Sequence, residues 1–141
     1  MIRYQMKVHK EGNLYWAEFP DLPGCFTQAD SRDELHEHAR EALSLYLEEA
    51  RDPKWKVPQP KSRNGKAFEW VMPYEDVAIA LIIRQARVRA KLTQKELAKR
   101  LGISFQQVQK LETPGKSNPT VKTLVAISDA LGGDIEIKIA A

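Results

Sequence analysis

The sequence predicts a protein of two units. The front is an α+β unit of order β-β-β-α-β, and the rear is an all-α unit that ends in one short strand. Three observations predict this. Apolar and polar residues alternate in short runs through the first half of the chain, the signature of half-buried strands. Residues 31–50 and 75–131 instead repeat apolar residues every three or four positions, the helical period. The chain then returns to strict alternation in DIEIKIA, Asp134 to Ala140. Pro73 marks the expected boundary between a unit at 1–73 and a unit at 74–141.

Taken in order, Arg3 to His9 places Tyr4, Met6 and Val8 on one face and Arg3, Gln5, Lys7 and His9 on the other. Glu11-Gly12-Asn13 is a turn, and Leu14 to Phe19 pairs back as a hairpin. Pro20 to Gly24 holds two prolines that cannot extend the ladder. Cys25 to Gln28 is a short third strand. Ser31 and Glu34 form an expected capping box for a helix running to about Ala50. Its stripe is Leu35, Ala39, Ala42, Leu43, Tyr46, Leu47 and Ala50. Asp52 to Gly65, broken by Pro53, Pro58 and Pro60, is a loop, and Ala67 to Met72 is a fourth strand. One helix covers only part of a sheet, so an edge or face of this small unit is expected to meet another chain.

Pro73 is expected at the first position of the next helix, Glu75 to Lys91, whose stripe is Val77, Ile79, Ala80, Ile83, Ala86, Val88 and Ala90. Leu92 to Glu112, LTQKELAKRLGISFQQVQKLE, then reads as two short helices around a tight turn. Thr93 with Glu96 caps the first, Gly102 ends it, and Ser104 caps the second. The outer face of that second helix is amide and base, as suits a reader of the DNA major groove. Thr120 caps a last helix, Val121 to Leu131, buried through Val121, Leu124, Val125, Ile127 and Leu131. The closing strand, with Ile135, Ile137 and Ile139 on one face, has no hairpin partner nearby. It is expected to pair with its copy in a second subunit or with other stretches of its own chain.

Charge is unevenly placed. Residues 1–76 hold 11 Lys/Arg and 14 Asp/Glu, and residues 77–141 hold 11 and 5, so the halves carry −3 and +6. The basic half is the one expected to meet phosphate. No run of 18 apolar residues occurs, and the start lacks a signal-peptide core. The single cysteine, Cys25, fits a reducing cytoplasm. No metal-ligand spacing, phosphate loop or dinucleotide fingerprint is present, so no metal and no cofactor are expected. The front strand order suits a fragment of a ribonuclease-H-like layout. The first strand holds no acid, however, and a two-metal nuclease needs one there, so no enzyme activity is expected.

The rear half, through LTQKELAKRLGIS, QQVQKLE and TVKTLVAISDALG, resembles the Cro/repressor-type helix-turn-helix family. The resemblance implies base contacts by Phe105, Gln106, Gln107 and Lys110 and backbone contacts by Gln94, Lys116, Ser117 and Asn118. Phe105 is the least typical of these. It also implies a structural ion pair between Arg87 and Glu112. The front half, through RYQMKVHKEGNLYWAEFPDLPGC and TQADSRDELHEHAREALSLYLEE, resembles the HicB antitoxin family. That resemblance implies a partial ribonuclease-H-like fold without catalytic acids, and a HicA-type mRNA-cleaving toxin as partner. Tyr15, Trp16 and Phe26 are candidate toxin contacts, with a core role as the other reading. Together the two halves imply a cytoplasmic type II antitoxin that represses its own operon as a homodimer or homotetramer on double-stranded operator DNA. An orphan regulator, whose front unit binds another protein or a small ligand, is the alternative.

Overall fold

The computed structural model describes residues 2–52 and 54–139. Four strands form one sheet of order β3-β2-β1-β4, antiparallel throughout: β1 (Tyr4–Glu11), β2 (Leu14–Glu18), β3 (Phe26–Ala29) and β4 (Phe68–Val71). Helix α1 (Arg32–Leu47) continues as a 3-10 turn, Glu48–Arg51, and covers one sheet face. The rear holds α2 (Glu75–Arg89), α3 (Gln94–Leu101), α4 (Phe105–Leu111) and α5 (Val121–Ala130).

The period-2 pattern fixes which side each strand buries. Tyr4, Met6 and Ala17 lie under α1 and its 3-10 turn, which present Leu35, Ala39, Leu43 and Leu47, and Ala50, to the same core. Each of the three buried leucines stabilises the fold by about 1.5–3 kcal/mol through area removed from water. A charge at Leu43 would break this layer. Ser31 caps α1 by accepting from the Glu34 N–H, but no return bond from the Glu34 side chain closes the expected box.

Helix α2 begins at Glu75, where the predicted range begins, but Pro73 is not its first helical residue: Tyr74 is the N-cap, and the Tyr74 N–H donates to Ser44 Oγ on α1 at 2.8 Å. The first half of α2 is packed into the front core through Val77, Ala78 and Leu81, so that core runs past residue 73. Val88, expected in the stripe, is exposed.

The rear core is small. Leu97, Ala98 and Val108 are buried, with Leu101, Ile103, Ala130 and Leu131 packed against them. Both short helices start with a complete capping box, Thr93 with Glu96 and Ser104 with Gln107. Gly102, at φ +66°, makes the left-handed turn between them. Helix α5 buries Ile127 and packs Ala130 on this core, but leaves Val121 60% and Val125 40% exposed, against expectation. It packs on α3, where Arg100 donates to the Ala130 carbonyl, and its apolar residues reach more than one face. Among residues 134–139 the closing segment forms no ladder, and Ile135, Ile137 and Ile139 are exposed. Ala140, the end of the expected strand, lies outside the described residues.

Candidate nucleic-acid interface

The reading helix α4 is held from behind by one buried carboxylate. Glu112, 1% exposed, follows the last turn of α4 and accepts two hydrogen bonds from Arg87, Nε at 2.7 Å and Nη2 at 2.9 Å. This two-pronged geometry fixes orientation as well as charge. Gln94 Nε2 donates to the same carboxylate at 3.3 Å, and Arg87 Nη1 donates to the Leu92 carbonyl. The start of α3, the end of α4 and α2 thus meet at a single group.

On the opposite side Gln106 and Lys110 are exposed, four residues apart on the same face of α4. Gln107 is exposed too, but its Oε1 accepts from the Ser104 N–H at 2.9 Å, so the capping box occupies its amide oxygen. Phe105 is half-buried, and the Lys95 ammonium lies 5.6 Å from its ring centre, a cation–π distance. In the loop after α4, Lys116 and Asn118 face out. Ser117 does not: its side chain is 2% exposed, with an Oγ that has no partner. Its hydroxyl is therefore closed to phosphate in this conformation.

Two contacts that sequence reasoning missed tie this unit to the front one. Arg84 Nη2 donates to the carbonyls of Ala50 and Glu112, the latter at 2.9 Å. Burial lowers the pKa of this guanidinium, with the neighbouring Arg87 charge acting the same way and Glu112 opposing both. Arg51 Nε donates to the Pro114 carbonyl at 3.2 Å. The bonds to Ala50 and Pro114 join residues 34 and 63 positions apart, and no local pattern announces them.

In the front unit, Trp16 and Phe26 share the sheet face away from α1, beside an open cleft of about 690 Å³. Phe26 is 69% exposed, and Trp16 stacks on His9 with ring centres 3.9 Å apart. Tyr15 is on the other face, packed against the core under α1. The three candidates therefore do not form one surface. Asp21 is tied down by Arg63, whose Nη2 donates to it at 2.7 Å, and by the Lys61 N–H at 2.8 Å. Arg63 beside it holds its carboxyl below the usual carboxylate range. Glu18 faces His9 instead. Among the described residues no three His, Cys, Asp or Glu side chains gather where a metal ion could sit. Burial pushes the Cys25 thiol up to about 12. No helix among the described residues is long and apolar enough to cross a membrane.

Among known proteins, residues 4–110 match the family described as HicB_like antitoxin of bacterial toxin-antitoxin system, and residues 83–138 match the helix-turn-helix family. Antitoxin HicB 1 of Photorhabdus laumondii is 30% identical over 140 residues, covering 98% of this chain and 87% of that protein. Antitoxin HicB 2 of the same organism is 26% identical, covering 96% and 95%. A chain in a solved HicA3 and HicB3 toxin-antitoxin complex aligns with TM-score 0.43 and 18% identity, covering 52% of this chain and 99% of that one.

Proposed function

We propose a function from one premise: this chain belongs to the HicB_like antitoxin family of bacterial toxin-antitoxin systems, and it carries a helix-turn-helix domain. From that premise the protein is a non-catalytic cytoplasmic antitoxin. Its front unit neutralises a HicA-type mRNA-cleaving toxin by direct contact, and its rear unit represses its own operon. The single observation that carries the reading is the overlap of two matches on one chain. The antitoxin match runs from β1 into α4, and the helix-turn-helix match runs from α2 into the closing segment.

On the front unit, the open sheet face with Trp16 and the exposed Phe26 supports a protein partner there. On the rear unit, Gln106 and Lys110 present an amide and an ammonium on one face of α4, suited to adenine and guanine edges. Two such heads about one DNA turn apart require a two-fold pair. The exposed apolar residues of α5 and the three tail isoleucines support pairing through the rear unit, with the closing segment forming a strand against its copy.

The test is co-expression with the small reading frame beside this gene. The frame alone should arrest growth. The full chain should restore growth and co-purify with the frame's product, and a reporter behind the gene's upstream region should be repressed. A frame that is harmless, or a toxin that neither binds nor is relieved, refutes the antitoxin function.

A further inference from the structure

We propose that Arg51, a residue of the front unit, holds a DNA backbone phosphate beside the reading head. The inference rests on the DNA-binding reading above and deepens it, because nothing so far gives the acidic front half a role in DNA contact. Arg51 ends the 3-10 turn after α1, yet it sits against the rear unit's loop. Its Nε donates to Pro114, and a side chain at Gly115 would come within 3.1 Å of its Nη2. Lys116 and Asn118, the exposed phosphate candidates, follow directly in that loop. Arg51 also lines the same open cleft, of about 520 Å³, as Gln94, Lys95, Phe105 and Thr113. That cleft adjoins the N-termini of α3 and α4, so Arg51 and the reading helix border one concave surface.

The donor count leaves Arg51 free for this work. A guanidinium has five N–H donors. The Nε–H is used by Pro114, and Nη2 faces the Glu48 carboxylate at 3.1 Å. The remaining donors have no protein acceptor among the described residues, and the side chain is 48% exposed. Its Pro114 bond fixes the fork in place, so little further ordering is needed on binding. Charge in the cleft favours an anion: Arg51, Arg84, Arg87 and Lys95 line it against Glu112 alone. The sequence points the same way. Six of the eleven Lys/Arg of residues 1–76 lie within 51–66, against the single acid Asp52. The front half is acidic on average, but the segment that Arg51 opens is basic.

The experiment measures duplex affinity of the full chain against salt, using a short duplex of mixed sequence, for wild type, Arg51→Gln and Arg51→Lys. Each phosphate contact contributes about 0.9 to the slope of log K against log salt. Arg51→Gln should flatten the slope by about 0.9 per bound head, and Arg51→Lys should keep it. Methylphosphonate scanning of the duplex should reveal one position whose neutralisation weakens wild type and leaves Arg51→Gln unaffected. An unchanged slope overturns the proposal, even if affinity falls, because Arg51 then only braces the Pro114 loop. A wild-type chain that shows no salt-dependent duplex binding sinks the DNA-binding reading itself, a different and recognisable failure.

Discussion

Replacing Glu112 with Ala should undo the reading head without altering Gln106 or Lys110, exposed side chains of α4. The carboxylate is 1% exposed and accepts from Arg87 twice and from Gln94 once. Its removal leaves the Arg87 guanidinium, itself only 13% exposed, buried beside a cavity with no counter-charge. Breaking one side of a buried pair costs about 3–5 kcal/mol. A change of 1 kcal/mol moves the melting temperature of a domain this small by about 4–8 °C, so the rear unit should melt at least about 12 °C lower. The chain offers a clean pair of probes. All three tryptophans, Trp16, Trp55 and Trp70, lie in the front unit, whereas four of the five α-helices begin at or after Glu75. In urea, the far-UV helix signal of the variant should therefore fall ahead of tryptophan fluorescence. The double variant Arg87→Met with Glu112→Leu should be less destabilised than Glu112→Ala, since it removes both charges together. A Glu112→Ala protein that melts within about 4 °C of wild type would refute the reasoning, because the pair would then contribute no more than an exposed one.

Other outcomes follow from the same geometry. Gln106→Ala and Lys110→Ala should each weaken operator binding by about 1–3 kcal/mol and relax sequence preference; retained specificity in titrations against a selected duplex would count against α4 as the reader. Deleting residues 134–141 should yield a monomer by light scattering if the tail isoleucines pair subunits, and an unchanged mass would exclude that role. Cys25, its thiol pushed up to about 12, should resist iodoacetamide at about pH 8 until urea exposes it. Asp21 titrates in the fold below its ordinary 3.8, so its clamp stabilises fully above that pH and is lost as pH falls through the lower, folded value. Asp21→Asn should therefore be less stable than wild type at neutral pH, with the gap closing below about pH 4 in pH-jump unfolding.

Local chemistry was legible in the sequence and long-range chemistry was not. The N-caps at Ser31, Thr93, Ser104 and Thr120 form where expected, though without the full box at Ser31, because each joins residues three apart. All four front strands lie within about two residues of their predicted ends, since alternation binds each to the α1 face. The misplaced residues share a different cause. Periodicity says that Val88, Val121 and Val125 lie on an apolar stripe but not whether a neighbour covers it. Leu81 falls outside the predicted α2 stripe yet is buried, because it packs into the front core beside Val77 and Ala78. In the site, the Arg87–Glu112 pair was legible only through the family resemblance. The bonds from Arg84 to Ala50 and from Arg51 to Pro114 had no signal at all, as they connect residues that meet only after both units fold. The burial of Ser117 and the separation of Tyr15 from Trp16 needed the packed chain for the same reason.

Helix α2 has a consequence for how such a chain can be cut or grafted. Its first two turns supply Val77, Ala78 and Leu81 to the front core, and a later turn supplies Arg87 to the reading head. A fragment ended at Pro73 would leave a hole where those side chains belong, and one begun at residue 83 would keep Arg87 but lose the turns of α2 that anchor it in the front core. Exchanging operator specificity between relatives is therefore cleanest downstream of α2, swapping α3 and α4 alone. A splice placed at the apparent seam before Tyr74 would separate halves that share one rod.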